Sequence, residues 1–123
     1  MAFDPKDCTG FSVDDDGDLT AVSVTAALVA TPRTNAADAA CVVAASDGLL
    51  LISSAGGGAV TITHAMAAGQ IVTIVMTAFS TGVYTMAVAA SGTLTFNAAN
   101  EMATIQYDGT AVRVLSQLGA TIA

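Results

Sequence analysis

Positive charge is what this sequence has least of. Its 123 residues include only Lys6, Arg33 and Arg113 as cations against ten Asp or Glu, for a formal net charge of −7. Nucleic-acid binders neutralise phosphates with Lys and Arg, so a nucleic-acid partner is excluded, and an anionic membrane surface is disfavoured on the same ground. Tryptophan is absent, and Tyr84 and Tyr107 are the only tyrosines, which is a poor supply for a stacking platform for bases or sugars. The two cysteines, Cys8 and Cys41, lack metal-ligand spacing and are too few for a disulfide framework; they read as reduced thiols, with Cys41 in the core. His64 is the single histidine, so any acid–base or Ser-His-Asp chemistry would have to pass through it. No Gly-x-Ser-x-Gly elbow frames a serine and no acidic residue lies near it in the chain, so His64 reads as a turn or interface residue. The expectation is a protein that is not an enzyme, with no catalytic, cofactor-binding or metal-binding residues. The N-terminus, Met1 to Asp7, lacks a basic segment leading into an apolar one, and the apolar run Leu49 to Ile52 is of strand length. A soluble protein made in the cytoplasm, with no membrane partner, is therefore expected.

What is present is apolar and weakly charged. Hydrophobic residues make up 54% and charged residues 11%, where globular proteins carry about 25% charged. With a mean hydropathy of +0.69, the chain folds, and its length suits one domain with a real core. So little charge also points to an outer surface partly buried in a homo-oligomer or assembly, because obligate interfaces are depleted in charge.

Residues 1–18 are the most polar stretch and hold six of the ten acidic residues; they read as an extended arm preceding a single β domain over 19–123. Within the arm, Asp14-Asp15-Asp16-Gly17-Asp18 invites comparison with a calcium loop. Aligning Gly17 with the invariant glycine puts Ser12 at the first ligand position and Ser23 where a bidentate Glu belongs, so the cluster reads as a solvated turn. Gly56-Gly57-Gly58 lacks the Lys-Ser/Thr and following helix of a phosphate loop and reads as a turn or hinge.

Short alternating segments dominate the remainder. Thr20 to Thr25 alternates with period two, Pro32 interrupts the ladder, and Asn35 could cap a short helix over Asp38 to Ala45, although Cys41-Val42-Val43 equally suits a strand. After the turn Asp47-Gly48, strands are predicted at Leu49–Ser53, Val60–Thr63, Ile71–Thr77, Val83–Val88, Thr93–Phe96 and Thr104–Tyr107. Asp108-Gly109 then closes a hairpin onto Ala111–Leu115. Phe79, Tyr84, Met86 and Phe96 are expected as core or interface packing. A repeated pattern of Gly, strand, turn and strand, at Gly58–Met76 and Gly92–Tyr107, is of a kind that generic β-patterning produces. The fold expected is all-β: a small antiparallel β-sandwich, jelly-roll-like or barrel domain with an extended N-terminal arm.

The stretch from Gly58 to Ser116 resembles a pattern that recurs in bacteriophage head and tail proteins. The residues that carry it are Ala68-Gly69-Gln70-Ile71-Val72-Thr73-Ile74, then Gly92-Thr93-Leu94-Thr95-Phe96, then Ala103 to Thr110 with Tyr107-Asp108-Gly109 at its end. Val112 stands where that pattern often has Trp. The resemblance covers about half of the chain. It implies a virion structural protein, most like a capsid decoration (cement) protein, generally trimeric, bound between capsomers to the major capsid protein on the outer capsid surface. The alternatives are a tail-fibre or baseplate β-module, or a small carbohydrate-binding β domain.

Overall fold

The structure, a computed structural model, describes residues 31–123. The arm over 1–18, the acidic turn Asp14–Asp18, the expected strand Thr20–Thr25 and Cys8 lie outside the described residues.

Among the described residues, ten strands follow one another without a helix: β1 (Pro32–Thr34), β2 (Cys41–Val43), β3 (Leu49–Ser53), β4 (Val60–His64), β5 (Ile71–Ala78), β6 (Tyr84–Val88), β7 (Gly92–Phe96), β8 (Met102–Tyr107), β9 (Val112–Leu118) and β10 (Thr121–Ile122). They form two five-stranded sheets, β1-β3-β5-β8-β9 (sheet A) and β10-β7-β6-β4-β2 (sheet B). The all-β expectation holds, and the arrangement is sandwich-like and not closed into a barrel.

The antiparallel expectation does not hold, because each sheet is mixed. β1, β3 and β5 pair in parallel in sheet A, and β2, β4 and β6 do the same in sheet B. From β1 to β6 the chain changes sheet at every link, so it returns to a given sheet only after a full circuit, running in the same direction. Parallel neighbours need such a crossover, and here the intervening strand of the opposite sheet supplies it. After β6 the chain turns back through antiparallel pairs: β6 with β7, β5 with β8, β8 with β9 and β7 with β10.

The period-two pattern decides which side chains meet between the sheets. Leu50, Ile52, Val72, Ile74, Met76, Ala103 and Ile105 point inward from sheet A, and Cys41, Val43, Ile62, Tyr84, Met86, Leu94 and Phe96 from sheet B; all are buried. The same alternation settles the segment left open between helix and strand. Cys41 and Val43 are buried while Val42 is 47% exposed, which a pleated strand achieves and a helix does not. Asn35 serves a turn instead of a helix cap, donating through Nδ2 to the carbonyls of Ala36 and Ala39. Pro32 does not interrupt the ladder either; it opens β1 at the sheet edge, where its missing N–H costs nothing.

Arg33 holds the two sheets together along one side. From β1 it donates to both carboxylate oxygens of Asp47 at 2.7 Å and to the carbonyl of Val42, on β2 of the other sheet. Asp47 also accepts the N–H of Ala44 at 2.8 Å. The Arg33 guanidinium holds this buried carboxyl below the usual carboxylate range against the opposing effect of burial. At the other end of the strands, Gly82 lies so close to the carbonyls of Gly57 and Gly58 that a Cβ would overlap them, so glycine is required there.

Replacing Asp47 with Ala removes the bidentate partner of Arg33 and orphans the Ala44 amide. Urea unfolding is expected to register a loss of about 2–4 kcal/mol, and an unchanged midpoint would refute the role given to this pair. Because the carboxyl titrates lower when folded, its contribution is complete above the unfolded value of about 4. It is lost as pH falls below that value through the folded one.

Candidate functional site

One end of the strands gathers the loops 44–48, 65–70, 89–91 and 108–111, and hydrogen bonds from backbone and side chains brace them. Gly69 adopts φ of +89° and donates its N–H to the carbonyl of Tyr107. Gln70 places its amide between three loop groups: Nε2 donates to the carbonyls of Ala44 and Asp47, and Oε1 accepts the N–H of Ala67. The Tyr107-Asp108-Gly109 hairpin has a similar logic. Asp108 Oδ1 accepts the N–H groups of Thr110 and Ala111 at 2.8 Å, Oδ2 accepts from Arg113 Nε, and Gly109 takes φ of +95°. The Ala111 amide, then Arg113 and the Thr110 amide, lower the Asp108 carboxyl to about 2.

A groove opens at this end because neighbouring strands part. The β4–β6 ladder runs from Val60↔Tyr84 to Ile62↔Met86. Beyond it β4 stays with β2 through Val43↔His64, and β6 stays with β7 through Val88↔Gly92. Val112 enters from the other sheet and accepts the N–H of Ala89 at 2.8 Å. The resulting groove, about 460 Å³, is walled by Thr61, Thr63, His64, Ala87, Val88 and Thr110 above buried Ile62, Met86 and Val112. That volume lies in the range of small-molecule sites, and the lining combines an apolar base with a few polar groups.

His64 is the last residue of β4 and half-buried. Its Nδ1 accepts the N–H of Met66 at 3.3 Å, so the neutral ring carries its proton on Nε2 as a donor. The ring packs against Tyr107 with centroids 4.6 Å apart and a tilt of 55°. Among the described residues, the hydrogen bonds bring neither a carboxylate nor a serine to His64, and no group of three or more His, Cys, Asp or Glu is close enough to hold a metal. Cys41 is a buried thiol whose pKa is pushed up by desolvation, so it stays protonated. At the Gly56–Gly58 turn, Asp38 accepts the N–H groups of Ala55 and Gly57. Tyr84, Met86 and Phe96 are core, and Phe79 is half-buried against it.

Sequence spacing did not single out the groove, because Thr61, Ala87 and Thr110 come from three strands or loops with no shared motif. The alternation of Thr61 and Thr63 marked an outward face; the parting of β4 from β6 had no local signal.

Carboxyl NMR is expected to place the Asp108 titration near 2. An Arg113→Ala variant should raise it only in part, since the Thr110 and Ala111 amides still donate. A return to an ordinary carboxylate value in that variant would contradict the order of causes.

No protein-family model matches this chain, and neither the curated proteins nor the solved structures contain a match to it.

Proposed function

We propose that this chain is a structural assembly protein with no catalytic step, which works by burying one sheet face against copies of itself. The observation that supports this reading is an apolar row on the outward face of sheet A. Leu51 pairs with Val75, and Val75 with Met102. Leu118 follows the Ala103↔Gln117 pair and extends the row to the sheet edge, where it is 66% exposed. Ile71 and the bulged Leu115, each about half exposed, lie further along the sheet, with the Thr73↔Thr104 pair between Ile71 and the row. No Asp, Glu, Lys or Arg stands in the row, and an apolar, charge-free centre is what a permanent protein interface presents.

The resemblance carried by Gly69-Gln70, Thr93 to Phe96 and Tyr107-Asp108-Gly109 gives the assembly its specific form in this proposal. The chain is a capsid decoration protein of a bacteriophage head, a homotrimer seated on the major capsid protein at the outer surface of the virion. Binding to assembled shells and not to loose subunits stabilises the shell by mass action.

Light scattering across a dilution series of the full chain is expected to give a stable trimer. Leu118→Lys places a charge at the exposed end of the row; it should weaken association at least tenfold, on the order of 1.4 kcal/mol, with the unfolding midpoint of the dissociated chain unchanged. A monomer at every concentration would overturn the assembly reading. A trimer that does not sediment with undecorated phage heads would overturn the capsid reading alone.

A further inference from the structure

The outward face of sheet B has a different chemistry. Thr61 pairs with Thr85, Thr85 with Thr95, and Thr95 with Thr121, so one row of threonines crosses four neighbouring strands. Strands lie about 4.8 Å apart, so the row extends over about 14 Å. β-propensity favours threonine at outward positions, but it does not align threonines from four strands in one register. The threonine hydroxyls that find partners among the described residues belong to Thr63, Thr73, Thr77, Thr81 and Thr104. No hydroxyl of the row bonds to another described residue, and a threonine hydroxyl can both donate and accept. The row ends at the groove, whose wall includes Thr61 itself together with His64 and Thr110.

We propose that this row and the groove at its end form a binding site for a neutral, hydroxyl-rich polysaccharide chain. Three features select that chemistry. The row and groove lining carry no charged side chain, and the Asp108–Arg113 pair beside Thr110 is already closed at 2.8 Å. An acidic polymer would meet a chain of net charge −7 without a free cation on this face. Hydroxyls that both donate and accept match sugar hydroxyls, and the row is longer than one sugar ring, so a chain of several residues engages successive strands. A protein partner of the usual kind would need an apolar centre, which sheet A has and this row lacks. The site does not depend on the assembly reading, because the two faces lie on opposite sides of the sandwich.

The test is an NMR titration of the full chain with maltoheptaose, cellohexaose and xylohexaose, with an oligogalacturonate as the acidic control. At least one neutral oligosaccharide is expected to shift the amides of Thr61, Thr85, Thr95, His64 and Thr110 saturably, with a Kd on the order of 1 mM. Thr85→Val with Thr95→Val keeps β-branched residues and should weaken binding about tenfold at an unchanged unfolding midpoint. Thr95→Lys, an exposed obstruction in mid-row, should abolish it and serves if the double variant misfolds. The proposal is overturned if no neutral oligosaccharide gives saturable shifts, if the shifts fall on sheet A, if the acidic control binds equally, or if these variants bind as the parent does.

Discussion

The two sheets share a single apolar layer, and the path of the chain is built around it. Neither sheet can bury its inward row alone, and from β1 to β6 the chain changes sheet at every link, so both sheets grow together around the same layer. Each circuit adds one strand to each sheet and up to three side chains to each side of the layer. Parallel pairing follows from that path, as do the two loop ends. Burial of roughly 1.5–3 kcal/mol per large side chain makes the layer the main stabilising term, and the polar contacts fix its edges.

Those edges are treated unequally. Along β1 and β2, Arg33 points inward from an edge strand and is neutralised by Asp47, a device that blunts an open sheet edge. Along β9, the edge carries a bulge at Leu115 and an exposed Leu118. The outward faces divide in the same way. Sheet A presents the row Leu51, Val75, Met102 and Leu118, and sheet B presents Thr61, Thr85, Thr95 and Thr121. One molecule thus offers a dry face and a hydroxyl face, separated by its own core.

Much of the strand inventory was legible because burial and pleat share a period of two. Leu49–Ser53, Ile71–Thr77 and the Asp108-Gly109 hairpin announce themselves by alternation and turn residues, and the structure has strands there. The stretch around Cys41-Val42-Val43 was ambiguous since three residues are too few to separate helical from pleated spacing; packing of Cys41 and Val43 against the opposite sheet decided it. β1 was hidden by Pro32, which only an edge position tolerates. β10 was hidden by its length, two residues held by the Thr121↔Thr95 and Ile122↔Leu94 pairs.

The all-β class, the inward and outward sets on most strands and the scarcity of positive charge are written in the chain itself, because they depend on residue type and nearest neighbours. The assembled fold settled that the sheets are mixed, that Arg33 reaches Asp47 and Val42, and that β4 and β6 part to open the groove at His64. It also decided that threonines from β4, β6, β7 and β10 fall into one row. These depend on which strand lies beside which and in what register. Many distant pairings satisfy the same local alternation, and the shared core selects among them.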